Sequence, residues 1–594
     1  MITRHRLRWG SIVLLALVIN IIVLIKFNTL QWPYLWPRPA LEIIIAGFVL
    51  ALCFREYVTG IWLQRMVGLV MLFAGESYVL HSVQVTLQSF SLIALIHLCG
   101  VTGMFIATVL SYFNQLLPKN HKVAPPLPPE LPHVAVVIPT YGEPVDIVEK
   151  TMAAASELDY PADHLYVIVA DDGRNEAIHQ AAVRHGVNYL EGPRKDAKAG
   201  NLNAALAYID QHYPQAALVI TQDADEILDA SFLQKTVGYF TDEKIAFVQT
   251  PKEAIVPPND PFGNRDRIFY DTLQPGRNGA NAAFSCGSSV VWRIAAVQSI
   301  GGFATWNLVE DLTTSYFLHN AGYKSEYHNE ILSVGLAPDD IPGVLKQRGT
   351  WAVDTWRLFL FDNPLRKRGL GIRQRLQYLE LCLFYMISAF FTPLLIITPA
   401  LSLATGIFLP IQGAALFPWM GSILAYYLVL ARGYTSHLLR MWQFWVGHAP
   451  TYFRAFFIAI RSRSRKPAYQ VTRKTRQSGF YGYLLWPQFL FLLFSVVIIF
   501  HAIFWMPGVN TLARASNIAI LLLLMTLVSG IGQAAFYHVS GGDVIQSFKN
   551  GVWTTVRGAG RYFSTPLRWV GLRPHPTTIE EPSRQRSALE SRRH

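Results

Sequence analysis

An α/β domain inserted between two groups of membrane-spanning helices is the architecture this sequence predicts, and three observations predict it. The composition, 52% hydrophobic against 15% charged over 594 residues, is too apolar for an ordinary soluble chain. The apolar residues gather in long runs toward both ends. Between them, residues 130–370 hold 31 of the 39 acids and 20 of the 51 bases, so this block carries −11 and the remainder +23. A basic surround of apolar spans suits anionic lipid headgroups, whereas a nucleic-acid protein would place its positive patch on the folded domain, so the expected partner is a lipid bilayer and not nucleic acid. The four cysteines, Cys53, Cys99, Cys286 and Cys382, are scattered without a C-x-x-C pair and suggest neither a disulfide framework nor a zinc site.

Crossing a hydrocarbon core of roughly 30 Å takes about 20 residues. Apolar runs of that order lie near 10–28, 39–55, 60–80 and 90–113, then near 379–403, 413–431, 483–506 and 515–537, about eight spans in all. Arg4, Arg6 and Arg8 precede the first run and no small-residue cleavage site follows it, so it reads as an anchor and not as a removable signal. With the N-terminus inside, Arg55, Arg65, Lys119 and Lys122 fall on the inner face, as do Arg461, Arg463, Arg465, Lys466, Arg473, Lys474 and Arg476. The expected layout is transmembrane helices 1–4 over 1–115 and a cytoplasmic domain over 130–370. Interfacial helices, helices 5–8 and a basic loop (464–480) follow over 371–540, then a basic cytoplasmic tail over 541–594.

A proline-rich linker, P-P-L-P-P-E-L-P from Pro125 to Pro132, closes the first membrane unit. Beyond it the pattern turns to soluble α/β. Val134–Ile138 is a short apolar strand, Pro144–Ser156 an amphipathic helix and Leu165–Ala170 a second strand; a helix begins near Asn175, and Ala217–Thr221 is another buried strand. Such alternation predicts a mostly parallel sheet flanked by helices, with ligands at the strand C-termini.

Two of these strands end in acids. Val167–Ala170 runs into Asp171-Asp172-Gly173, and Leu218–Thr221 into Gln222-Asp223-Ala224-Asp225, where a spacing of two aims both carboxylates to one side of an extended chain. Clustered carboxylates repel one another and raise each other's pKa values unless something cationic meets them. A hard divalent cation bridging a diphosphate is the economical partner, because Mg²⁺ takes one or two carboxylates and completes its shell with phosphate oxygens and water.

With these motifs the chain resembles the processive family-2 glycosyltransferases of GT-A fold, and among them the bacterial cellulose synthases and related β-glucan synthases. The resemblance covers roughly 130–480 by motif. It implies that Thr140, Tyr141 and Glu143, in P-T-Y-G-E-P, open a nucleotide pocket and that Asp171 and Asp172 bind uridine. Lys198, in K-A-G-N-L-N, lies in the next donor-binding block; Asp223 contacts the donor, and Asp223 with Asp225 holds Mg²⁺ or Mn²⁺. Cys286, in F-S-C-G-S, and Glu310 face the acceptor, and Asp311, in V-E-D, is the general base for a single inverting displacement. Gln347, Arg348 and Trp351 match the family's Q-R-x-R-W except that Thr350 replaces the second arginine, removing a guanidinium suited to phosphate. Tyr469-Gln470-Val471-Thr472-Arg473-Lys474 resembles the F-x-V-T-x-K gating loop, bringing Thr472 and Lys474 to the donor.

The implied activity is polymerisation of glucose from a UDP-sugar donor onto a growing polysaccharide acceptor, with export across a bacterial inner membrane, where a periplasmic or export partner would receive it. Cellulose, curdlan and mixed linkages all remain open, since linkage turns on sub-ångström placement of the acceptor hydroxyl. A GlcNAc- or hyaluronan-type synthase, or a transferase of single sugars to a lipid carrier, is the alternative. A transporter would leave the acid motifs unexplained. A sugar polymer needs a protein-lined path through lipid, for which Tyr385, Phe391, Trp442 and Trp445 are candidate lining residues by position.

Overall fold

The computed structural model describes residues 61–411, 413–431, 438–467, 480–506, 510–537 and 539. The spans expected at 10–28 and 39–55, the segment containing Thr472 and Lys474, and the basic tail lie outside the described residues.

Two antiparallel apolar helices, α1 (Ile61–Gln88) and α2 (Leu92–Asn114), lead into the α/β domain. The first runs on to Gln88, past the end of the apolar run expected at 60–80, so most of the connection to the next run is helix. That stretch holds no glycine or proline to break it before Ser91, whose side chain accepts the Ala94 N–H to start α2. The domain is built from β1 (His133–Thr140), α3 (Val145–Ser156), β2 (Leu165–Asp171), α4 (Glu176–Arg184), β3 (Asn188–Glu191), α5 (Ala197–His212), β4 (Ala216–Thr221), β5 (Glu226–Leu228), β6 (Ile245–Gln249), β7 (Glu253–Ile255), β8 (Val290–Arg293), α6 (Glu310–Asn320), β9 (Lys324–Tyr327) and β10 (Ser333–Leu336).

Seven strands form one sheet in the order β3-β2-β1-β4-β8-β6-β9, and β5, β10 and β7 form a smaller one. The large sheet is mixed where a mostly parallel one was expected, because β8 runs antiparallel to both β4 and β6. Its alternating side chains serve two cores. Val134, Val136 and Ile138 of β1 meet Val148 and Met152 of α3 and Ile178 of α4. Ala135 and Val137 face Leu202, Ala205, Leu206 and Ile209 of α5, whose spacing makes one helical stripe. Each fully buried aliphatic side chain contributes roughly 1.5–3 kcal/mol, so a one-residue register slip, which would exchange the two faces, is strongly disfavoured. Thr140 pairs with Asp171 and Val137 with Thr221, which brings both acid motifs to the same sheet edge.

After the domain come α7 (Ile341–Phe361), a long helix α8 (Ile372–Thr405), α9 (Gly413–Leu430), the short amphipathic helices α10 (Leu438–Gly447) and α11 (Ala449–Arg461), α12 (Trp486–Phe504) and α13 (Thr511–Ala535). Among the described residues five helices are long and apolar enough to cross a membrane, and Ala415–Leu430 is a shorter apolar one. The eight-span count is therefore not established by the described residues. Two candidate path-lining residues belong to the packing instead. Gly103 of α2 lies so close to α8 that a Cβ there would fall on the Phe391 ring, and Tyr385 is buried edge-on to Tyr452. Polar bonds tie the bundle together and to the domain: Asn114 Nδ2 of α2 donates to Gln377 Oε1 of α8 (2.6 Å), Gln115 Nε2 to the Thr272 carbonyl of the domain (2.8 Å), and the buried Arg277 pairs with Glu380 of α8 (2.6 Å).

Candidate active site

The site grows from strand ends and helix starts that meet at one edge of the large sheet. The loop after β4 carries Asp223, whose backbone N–H donates to Ser288 Oγ (2.8 Å). The first turn of α5 delivers Lys198. Its Nζ donates to Asp223 Oδ1 and to the Gly287 carbonyl, both at 2.6 Å, and lies 3.3 Å from Glu310 Oε1. Glu310 and Asp311 open α6. Gly287 has φ +88°, and a Cβ on it would stand 3.1 Å from Asp311 Oδ2 and 3.5 Å from Lys198 Nζ. Only a glycine lets the backbone bend here and come so close to both groups. Lys198, Asp223, Glu310, Asp311 and the Gly287 carbonyl are thus brought together.

Charge within this cluster is unbalanced. Burial pulls the Lys198 ammonium down, but Asp223 and Glu310 outweigh it, and the net shift is upward, so the lysine stays charged. Asp311 moves the other way. Burial first, and then the neighbouring Glu310, push it up to about 7. Its Oδ1 accepts the Leu312 N–H (2.6 Å). Burial and the nearby Asp311 push the Cys286 thiol up to about 12, which keeps it protonated and unreactive near neutral pH.

The Asp171-Asp172 pair is of a different kind. Asp171 is fully buried; Oδ1 accepts from Thr140 Oγ1 (2.9 Å) and Gly173 N (2.8 Å), Oδ2 from Asn175 N (2.6 Å) and Tyr189 Oη (3.1 Å). Its acceptor sites are filled from within, which accounts for Thr140 as well. Asp172 Oδ1 accepts the Arg194 N–H (2.8 Å), and burial raises its pKa. Glu143 Oε2 closes its own loop by accepting from Tyr141 N (2.7 Å) and Gly142 N (3.0 Å), while the Tyr141 side chain is exposed. On α7, Gln347 and Trp351 are partly exposed. Arg348 is already committed: its Nη2 donates to Asp266 Oδ2 (2.7 Å) and the Gly263 carbonyl (3.2 Å), and its guanidinium lies 4.9 Å from the centre of the Trp351 ring.

Among the described residues no three His, Cys, Asp or Glu side chains converge closely enough to cage a metal ion by themselves. The donor set still fits a hard divalent cation completed by ligand oxygens. Three carboxylates, Asp223, Glu310 and Asp311, raise the pKa of the one lysine, Lys198, and the two acids of D-x-D carry oxygen donors of the right hardness.

Several supporting residues carry no motif. Glu226, just past D-x-D and 2% exposed, accepts from Ser288 Oγ (2.7 Å) and Ser289 Oγ (2.8 Å) and pairs with Lys252 (2.6 Å). Ser288 thereby fixes the Asp223 amide. Asp354 and Arg357 grip the loop before Glu310; an acid and a base inside the run A-V-D-T-W-R-L-F-L-F were the available signal.

Residues 132–353 match the family described as Glycosyltransferase like family 2. The chain is 38% identical over 296 residues to a UDP-forming cellulose synthase catalytic subunit of Xanthomonas axonopodis pv. citri, covering 47% of this chain and 40% of that one. It is 38% identical over 273 residues to the corresponding Pseudomonas fluorescens subunit, covering 43% and 36%. To cellulose synthase 1 of Komagataeibacter xylinus it is 37% identical over 286 residues, covering 46% of this chain and 18% of that protein. The matched stretch thus takes in less than half the length of these relatives. Among solved structures, a mannosyltransferase from Pyrobaculum calidifontis in complex with GDP-Man and Mn²⁺ superposes with a TM-score of 0.45 at 20% identity, over 62% of this chain and 98% of that one. Taken with the mixed sheet and the acids at its edge, the match identifies residues 132–353 as a family-2 glycosyltransferase domain of GT-A-like fold, flanked by apolar helices.

Proposed function

We propose that this protein is a processive, inverting β-glucan synthase that polymerises glucose from UDP-glucose and passes the chain outward across a bacterial inner membrane, with its α/β domain in the cytoplasm. The observation that carries the reading is the clustering of Asp311, Glu310, Asp223 and Lys198 around the Gly287 backbone. Similarity to UDP-forming cellulose synthases over the same residues supports it.

In this reading Asp311 accepts the proton of the acceptor hydroxyl as that oxygen bonds to the anomeric carbon of the donor. The bond from that carbon to the diphosphate breaks, UDP leaves with the electron pair, and the sugar inverts. Oδ1 is engaged by the Leu312 N–H, so Oδ2, the oxygen nearest Gly287, receives the proton. Lys198 holds Asp223 and Glu310 in place and lends positive charge to the diphosphate, a task enlarged because Thr350 offers none and Arg348 is paired with Asp266. Asp223 and Asp225 would hold a divalent cation, Mg²⁺ or Mn²⁺, whose chemistry when bound is to neutralise charge on the departing diphosphate. Tyr141 and Asp172 bound the nucleotide pocket, and Asp171 acts by shaping its loop. Trp351 offers an aromatic face to the acceptor sugar, with Gln347, Cys286 and Glu310 around it.

Purified protein in detergent or nanodiscs, supplied with labelled UDP-glucose and Mg²⁺, is expected to make long, β-glucosidase-sensitive polymer. Turnover of UDP-GlcNAc instead, or a glycolipid as product, would overturn the glucan assignment, and linkage analysis of the polymer would identify which glucan it is.

A further inference from the structure

The residues before Glu310, Trp306-Asn307-Leu308-Val309, have no regular secondary structure, so hydrogen bonds must fix their path. Val309 sits at the N-cap of α6 and has no side chain able to cap it. Two buried residues one turn apart on α7 supply what is missing. Asp354, 1% exposed, accepts the Leu308 N–H with Oδ1 (2.9 Å) and the Val309 N–H with Oδ2 (2.7 Å). The Asp354 carbonyl accepts from Asn307 Nδ2 (3.1 Å), which also donates to Thr313 Oγ1 (3.2 Å) on α6. Arg357, also 1% exposed, donates from Nε to Asn307 Oδ1 (2.8 Å), from Nη2 to the Trp306 carbonyl (3.0 Å) and from Nη1 to the Ser462 carbonyl. Just beyond α11, Lys466 Nζ donates to the Thr305 carbonyl (2.7 Å) and lies 3.4 Å from Asp196 Oδ1. Neither Asp354 nor Arg357 belongs to the cluster around Gly287.

We infer that Asp354 and Arg357 are positioning residues for proton transfer: by gripping the 306–309 backbone from α7 they set where Asp311 stands relative to Lys198 and Gly287, without touching substrate. The inference rests on the reading of Asp311 as the base. The choice of side chain supports it. Two adjacent amide donors are matched by a carboxylate, which offers two acceptors and no donor. Keeping a carboxylate buried is costly, and the two amide bonds together with the neighbouring Arg357 pull toward the charged form against burial. An apolar residue would fill the volume but leave both amides unpaired. The same loop holds the Trp306 ring 5.0 Å beneath the Arg357 guanidinium, so its path is fixed from both the backbone and the side-chain side.

The test is Asp354→Asn, which keeps the shape but turns one acceptor into a donor facing an N–H. The expected result is a fall in kcat of up to about 100-fold, the scale set by misplacing a reacting group by an ångström, with the UDP-glucose KM and UDP affinity within about twofold of wild type. A role in stability alone would lower the melting temperature and leave kcat per folded molecule unchanged, and that result would overturn the inference. Should Asp354→Asn not fold, Arg357→Lys serves. It keeps the charge but loses the guanidinium fork, and a fall in kcat of about tenfold with unchanged KM is expected from one lost charge-assisted hydrogen bond; unchanged kcat in this variant would equally sink the idea. Asp311→Asn, measured alongside, separates the two levels. If it is inactive while the α7 variants are normal, the base stands and the positioning role falls; if it is active, the base assignment itself falls.

Discussion

The two acid motifs at the sheet edge look alike as text and differ as chemistry. Asp171 is saturated: a hydroxyl from β1, two amides of its own turn and the Tyr189 phenol fill its carboxylate. Asp223 shares one lysine with Glu310, and Asp311 beside them is pushed up to about 7 by burial and by Glu310. Asp171 is internally satisfied and holds a loop in shape. The second cluster is left with more negative charge than it can neutralise, and that surplus invites a cation and a proton. An acid at a strand end therefore signals a site only when its hydrogen-bonding capacity has not already been used by its own fold.

The largest effect that separates the clusters should come from Asp311→Asn, for which transfer is expected to fall about 10²- to 10⁴-fold while UDP binding, followed calorimetrically, is retained. Near-normal turnover would mean the reactive acid lies elsewhere. Asp225→Asn is expected to weaken metal-dependent donor binding by about 10- to 100-fold, read as a rightward shift in the Mg²⁺ titration of UDP-glucose turnover; an unmoved titration curve would remove D-x-D from the cation site. Asp171→Asn should act on stability, costing about 1–3 kcal/mol because an amide nitrogen then faces two of the four donors, one of them a backbone N–H. If the variant melted like wild type yet bound no UDP, the two clusters would not differ in the way described.

The smallest effect is with pH. The carboxylate of Asp311 is the active form and its folded pKa is raised, so kcat/KM should climb as pH rises through about 7 and level off above it. The charged groups around it that matter are Glu310, Lys198 and Asp223. The linked stability runs the opposite way: the folded state holds the proton more tightly than the unfolded chain, so this group's contribution is full below about 4, the unfolded value, and is lost as pH rises through about 7. A flat kcat/KM profile between pH 6 and 8 would contradict the assignment.

Much of the domain was readable from residues alone. Val134–Ile138, Leu165–Ala170 and Ala217–Thr221 are short apolar runs that end in polar turns; each is a strand, and the last two carry their acids to the expected edge. What could not be read was which acids stay available, since that depends on donors as distant in sequence as Tyr189 for Asp171 and Lys198 for Asp223. The antiparallel course of β8 was also hidden, because V-V-W-R reads the same in either direction. Asp354 escaped notice for a similar reason: its value lies in two backbone amides 46 and 45 residues earlier.

That reversed strand has one further effect. Since β8 starts where β4 ends, the turn before it brings a main-chain oxygen, the Gly287 carbonyl, to the lysine ammonium. A peptide oxygen does not titrate and survives any exchange of side chain, so part of the anchorage of Lys198 is indifferent to acidity and to most mutations. Divergence or engineering aimed at a different sugar could rework side chains beyond Lys198, Asp223, Glu310 and Asp311 without loosening this anchor, provided the bend at 287 stays open.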